Sequence, residues 1–200
     1  MEVEHYAIDA AMSRVIVRPF ASAAATAAPN PTLTVREMAG EARFLPGTLD
    51  RACVEIRFRT ASLAVTEGIG EEERRQIERT MHGEILEAHK YPEIVFSTSK
   101  VSASKAGNGQ YWINLLAEIS LHGVTASEAV AAQVVVAGDT LFARGELVLL
   151  PSTYKIKPAA LARGTLRLRD EMKCLFDIVA RKQPEHPEES NRRILTVEGS

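Results

Sequence analysis

From Glu93 onward the chain alternates: Ile94, Phe96 and Thr98 occupy one set of positions, and Val95, Ser97 and Ser99 the other. A repeat of two belongs to a β-strand, whose successive side chains point to opposite faces, so this segment reads as a half-buried strand. Pro92 fits in front of it, because no ladder N–H is missed at a strand's first positions. The Gly107-Asn108-Gly109 triplet tolerates positive φ, which makes this strand and the one starting at Tyr111 a hairpin. His122-Gly123 closes that second strand in the same way, with glycine as the turn residue. A chain committed to long antiparallel strands must bury one face of each, and this requirement shapes the rest of the reading.

The same alternation recurs along the sequence. Residues 5 to 20 read as an opening strand with a short turn at Asp9-Ala10-Ala11, Val15 and Val17 alternating with Ile16 and Arg18. The stretch Ala21 to Pro31 is small and low in complexity, and reads as a loop or one helical turn. Leu33/Val35, Ala42/Phe44 and Val54/Ile56/Phe58 supply the pattern over residues 32 to 60. Further strands are expected near 127 to 137, 140 to 151 and 164 to 181. Leu141, Ala143, Gly145, Leu147 and Leu149 share one face, as do Met172, Cys174, Phe176, Ile178 and Ala180. One helix is expected over about 71–90. Ile77, Met81, Ile85 and Ala88 form its apolar stripe, Glu71, Glu72 and Glu73 sit at the dipole's positive end, Gly83 weakens its middle and Pro92 stops it. The sum is about eight or nine strands with one helical insertion, enough to close a small antiparallel barrel around one ligand. A sandwich is the alternative.

Two hundred residues at 46% hydrophobic composition suffice for one such domain, read as residues 1–181, with a polar, proline-bearing tail over 182–200. In that tail Ile194-Leu195-Thr196-Val197 could pair with a partner's edge, although an inert tail is the simpler expectation. The 24 basic residues are balanced by 26 acidic ones, with no basic block, which argues against a nucleic-acid partner. No stretch is apolar over the length a membrane span needs. The acidic start, Met1 to Tyr6, lacks the basic and apolar regions of a secretory signal, so a cytoplasmic protein is expected. Cys53 shares a face with Glu55 and Arg57 while Cys174 shares one with Met172 and Phe176, so the first is expected outward, the second inward, and both free.

The stretch Tyr91-Pro92-Glu93-Ile94-Val95-Phe96-Ser97-Thr98-Ser99-Lys100-Val101, with Ile119-Ser120-Leu121-His122-Gly123-Val124-Thr125 after it, resembles the signature of the YceI-like family. Ser13-Arg14-Val15 resembles that family's opening strand, Ala61-Ser62-Leu63 the element after the third, Ser152 to Pro158 the segment before the final hairpin, and Leu166 to Met172 its last turn. The resemblance spans about residues 5 to 181. It implies a lipocalin-like barrel with an apolar interior, which in some members carries polyisoprenoid or prenyl-quinone lipids and which often pairs into dimers. This chain departs from the pattern over Arg79 to Lys90, and at Tyr154-Lys155, where relatives carry Phe-Gly. With Val65-Thr66-Glu67-Gly68 it looks like a divergent branch.

If Ile56, Phe58, Phe96, Ile113, Leu115, Ile119, Leu147, Leu149, Phe176 and Ile178 all point inward, they line a chamber that suits a hydrocarbon chain, each five-carbon unit gaining on the order of 3 kcal/mol gross. The alternative is that they fill the barrel solidly. Tyr111, Trp112, Tyr154 and Lys157 are the candidates to meet a quinone oxygen or a phosphate at the mouth. The leading reading is therefore a non-catalytic carrier of an isoprenoid-type amphiphile, with no cofactor beyond the bound lipid. An enzyme using the dry chamber for a cyclisation or isomerisation is a second reading, with Thr98, Tyr111 and Cys174 as its only inward polar groups. A ligand-free, stress-linked interaction module is a third. Catalytic motifs are absent, and Gly68-Ile69-Gly70 runs into three glutamates that would repel a phosphate. His82 and His89 would lie two helical turns apart, too far to share a metal, and read as solvated. His122 reads as a turn or outward residue bonded to backbone. In a homodimer, Leu116, Val148 and Leu150 are the interface candidates.

Overall fold

The computed structural model describes residues 3–21, 31–67, 70–157, 160–161 and 166–184. The low-complexity stretch beyond Ala21, Gly68-Ile69 and the Ile194–Val197 segment lie outside the described residues. The chain runs as β1 (Glu4–Ile8), β2 (Arg14–Ala21), β3 (Thr32–Val35), β4 (Met38–Leu45), β5 (Thr48–Arg59) and β6 (Leu63–Glu67), then α1 (Glu71–Thr80). It continues with β7 (Glu93–Gly107), β8 (Gln110–Leu121), β9 (Val124–Ala137), β10 (Thr140–Leu149), the short β11 (Ala160–Leu161) and the long β12 (Leu166–Lys182).

Eight strands close a ring in the order β1-β4-β5-β7-β8-β9-β10-β12, because β1 returns to pair with β12 through Tyr6↔Lys182, Ala7↔Arg181 and Ile8↔Ala180. That antiparallel pairing makes the fold a closed barrel and rules out the sandwich. β2, β3 and β6 extend the wall as continuations. β1 and β2 lie end to end along β12, β3 pairs with β2 where β4 pairs with β1, and β6 pairs with β3.

Most alternation faces fall as expected. Val15, Val17, Leu33, Val35, Ala42, Phe44, Leu141, Leu147 and Leu149 point inward, as do Met172, Cys174, Phe176 and Ile178. β9 begins at Val124, earlier than the pattern suggested, because His122 (φ 52) and Gly123 (φ 74) both take the left-handed conformation and reverse the chain in two residues. Leu166–Met172, a turn by the resemblance but part of a strand near 164 to 181 by its alternation, is strand: its bend is a register irregularity between Leu168 and Met172 against β2.

Among the described residues, the side of β6 turned away from β3 has no strand neighbour and is completed by the helical segment. β6 pairs with β3 on one side; on the other, the Val65 N–H donates to Glu78 Oε1 at 2.9 Å, and His82 Nε2 bonds the Leu63 carbonyl at 2.8 Å. Side chains of the helical segment thus satisfy backbone groups that a further strand would otherwise take. The helix is shorter than its stripe implied. After Thr80 it loosens into a π-helical turn over Met81–Ile85, closed by the Leu86 N–H on the Met81 carbonyl at 2.8 Å, and Glu87 ends it in the left-handed conformation (φ 43). Gly83 sits in that turn. The extra residue shifts the helical phase and swings Leu86 into the core beside Met81. His89 therefore lies beyond the helix, and His82 is an edge cap, not a solvated residue. Outside the wall, Leu116, Val148 and Leu150 are exposed, and Leu116 stands opposite Ala129.

Candidate functional site

The inward faces do not fill the barrel. They enclose a cavity of about 270 Å³ that runs from Phe44, Leu49 and Leu141 near one end to Pro19, Pro151 and Met172 at the other. The first end is shut. Tyr6 stacks on Phe44 (centroids 5.1 Å apart, planes 14° apart), and Tyr111 and Ala180 pack into the same cluster. At the opposite end the lining reaches Lys157 and Arg169, both exposed to solvent. On the helical side the wall is made by Ile77, Met81, Ile85 and Leu86.

All ten apolar residues expected inward line this cavity: Ile56 and Phe58 on β5, Phe96 on β7, Ile113, Leu115 and Ile119 on β8, Leu147 and Leu149 on β10, and Phe176 and Ile178 on β12. Gly145 makes room for one of them. A Cβ there would lie 2.5 Å from the Phe176 ring and 2.4 Å from the Ala131 carbonyl oxygen.

The polar candidates separate. Lys157 lines the cavity. Trp112 does not: adjacent strand residues cannot both face in, so with Tyr111 buried inside, Trp112 projects from the outer face, 55% exposed. Tyr111 points inward but belongs to the cluster at the closed end and is not in the cavity wall. Tyr154 is wholly buried outside the cavity, in a 3₁₀ turn over Pro151–Tyr154, where its hydroxyl donates to Glu128 Oε1 at 2.9 Å. It seals the fold beside the mouth. Burial and the Glu128 carboxylate both push its phenol above the ordinary tyrosine range.

Apart from Lys157 and Arg169 at the open end, two polar groups stand in the wall among the described residues, and both are quenched. The Thr98 hydroxyl accepts the Val54 N–H at 2.9 Å and donates to the Ala52 carbonyl at 3.3 Å, bridging β7 to β5 where their direct pairing has ended. Burial pushes the Cys174 thiol up to about 12, far from the thiolate a nucleophile needs. Cys53 is exposed on the outer face and Cys174 buried; both are free. Arg169 was missed in the sequence. The signal available was the composition of residues 155 to 173, where six basic residues stand against two acidic ones in a chain of net charge −2.

The profile of the YceI-like domain matches residues 6–180. The chain belongs to the YceI-like family. Among solved structures, BcnA of Burkholderia cenocepacia is similar over 86% of this chain and 98% of BcnA, with a TM-score of 0.66 at 18% identity. The YceI protein of Campylobacter jejuni is similar over 82% of this chain and 91% of that one, with a TM-score of 0.59 at 13% identity. No curated protein matches the sequence. At these identities the structural likeness speaks for the fold alone.

In this YceI-like barrel, His122 is a turn residue bonded to backbone, as expected, and in addition a joint between elements. Its Nε2 lies 2.9 Å from Glu87 Oε2, its Nδ1 lies 3.2 Å from the Tyr154 carbonyl oxygen, and the Tyr91 ring meets it edge-on at 4.7 Å. One side chain ties the end of the helical segment and the 3₁₀ turn to the β8–β9 reversal. Gly123 is required beside it, since a Cβ there would lie 2.6 Å from the Tyr91 ring. Among the described residues no cluster of His, Cys, Asp and Glu is arranged to hold a metal, and no helix is long and apolar enough to cross a membrane.

The buried thiol gives a pH prediction. The folded state raises the Cys174 pKa from 9.0 to about 12, so it favours the neutral thiol. This contribution is intact below pH about 9; as the pH climbs from there toward about 12, the unfolded chain ionises and the folded one does not, so stability falls. Urea denaturation at stepped alkaline pH should show the decline, and Cys174→Ala, although less stable at neutral pH, should show a shallower one. Equal slopes for the two proteins would contradict the assignment.

Proposed function

We propose that this YceI-like barrel is a non-catalytic carrier that shields the hydrocarbon tail of an isoprenoid-type amphiphile inside its cavity. The observation that carries this reading is a cavity with a hydrocarbon wall, whose one inward hydroxyl is spent on backbone and whose thiol is held neutral. Such a wall offers nothing for acid, base or nucleophile to do, but each methylene moved into it from water gains about 0.8 kcal/mol before ordering costs. The ten apolar residues named above, together with Lys157, are the proposed ligand contacts. Tyr111, Trp112 and Tyr154 do not line the cavity and are not among them.

Native mass spectrometry of gently purified protein, followed by solvent extraction, tests the proposal. A co-purifying amphiphile, or uptake of a prenyl alcohol on incubation, is the expected result. A clean apo mass both before and after incubation with prenyl alcohols, prenyl phosphates and quinones would overturn it.

A further inference from the structure

Resting on the carrier reading, we infer that the ligand is a short, single-chain amphiphile with an anionic headgroup, its tail of about two or three prenyl units enclosed and its head held by Lys157 and Arg169. The argument for the head begins with charge. Among the described residues lining the cavity, Lys157 and Arg169 are the only charged ones, and both lie at the end opposite the Tyr6–Phe44 stack. Each is exposed, so its aliphatic stem can extend the apolar wall while its charged end stays in water. The sequence around them, residues 155 to 173, is basic although the chain as a whole is not. Of the two acidic residues in that segment, Asp170 is turned to the start of the 3₁₀ turn, where it accepts the Ser152 N–H at 2.8 Å and the Ser152 hydroxyl. A neutral head would gain little from this arrangement; a phosphate or carboxylate gains two charge-assisted contacts.

The argument for the tail is volume. A cavity of roughly 150 Å³ lined by aliphatic and aromatic side chains accommodates benzene, so by proportion one of about 270 Å³ encloses on the order of a dozen carbons. The closed end stops the chain from passing through, and any longer tail must leave carbons in water at the mouth.

Binding of geranyl, farnesyl and geranylgeranyl phosphate, with farnesol as the neutral partner, tests both halves on the intact protein by titration calorimetry. Farnesyl phosphate should bind at least tenfold tighter than farnesol, and the preference should shrink as ionic strength rises from about 0.05 to about 0.5 M. Affinity should rise from geranyl to farnesyl phosphate and gain less than about threefold on going to geranylgeranyl phosphate, because the added carbons stay in water at the mouth. The double variant Lys157→Gln/Arg169→Gln should lose at least tenfold more affinity for farnesyl phosphate than for farnesol. Dodecyl phosphate and dodecanoate, each compared with dodecanol, separate a phosphate from a carboxylate source, and either binding above the alcohol supports the anionic head. Equal wild-type affinity for farnesol and farnesyl phosphate would overturn the headgroup assignment. So would a double variant that weakens both equally, because the two side chains would then be holding the wall. A steep further gain to geranylgeranyl phosphate would overturn the length. No binding of any probe would bring down the carrier reading itself, and this inference with it.

Discussion

Ala143→Phe is expected to weaken tail binding on the order of 100-fold while leaving the barrel folded. Ala143 lies midway along the cavity, opposite Ile178 on β12 and Val134 on β9, and it packs against both core clusters. A phenyl ring needs roughly the 150 Å³ that benzene occupies, which takes up more than half of the 270 Å³ present. At about 0.8 kcal/mol per methylene, denying enclosure to four or more carbons costs about 3 kcal/mol, or on the order of 100-fold in affinity. Because the ring occupies space that is already empty, the melting temperature should hold or rise. Farnesol titration and thermal unfolding of the variant together decide the matter. Unchanged affinity in a folded variant would mean that the tail lies somewhere other than the cavity.

The largest stability effect is expected at Tyr154. Its side chain is wholly buried, bonded through its hydroxyl to Glu128, and its carbonyl faces the His122 ring. Truncation to alanine leaves a void the size of a phenol and should cost about 3–5 kcal/mol. For a chain of this size that is a fall in melting temperature of roughly 6–20 °C. Tyr154→Phe keeps the ring and removes only the donor, so about 1 kcal/mol is expected, the partly solvated Glu128 turning to water. The phenylalanine variant should also keep full ligand affinity, since the hydroxyl is engaged outside the cavity. A Tyr154→Phe variant that folds normally yet loses the ligand would return this residue to the binding site.

The barrel was legible because alternation is a local property. Ile94/Phe96, Leu147/Leu149 and Phe176/Ile178 each declare a face without reference to any other strand, and the residues that line the cavity follow directly. Parity also held the answer to Tyr111 and Trp112, which as neighbours on one strand cannot both reach a mouth. Other features were written between segments and not within them. Leu86 enters the core only because the helix loosens to a π turn at Met81, and nothing in a stripe of period 3.6 marks that shift. Glu78 and His82 look like ordinary helix-surface residues until β6 is seen with one unpaired edge beside them. Tyr154 offered an aromatic ring next to a lysine, a pattern equally suited to a mouth and to a plug; its bond to Glu128, distant in sequence, favours the plug. Arg169 escaped notice because its one sign, the basic composition of residues 155 to 173, is spread over a segment and singles out no residue.

The pairing of β1 with β12 has a consequence for how this protein is made. The first strand pairs with β4 on one side, but the ring closes only when its other side meets the last strand, through three residue pairs and the Gln183 N–H on the His5 carbonyl at 2.8 Å. A contact between segments so far apart forms late and slowly, since the whole intervening chain must first be ordered. While the polypeptide is still leaving the ribosome the ring stays open, and the hydrocarbon wall that later shields a ligand faces water and other nascent chains. A truncation that removed only the last few residues of β12 would therefore leave a sheet with two sticky margins where the full-length chain makes a sealed vessel.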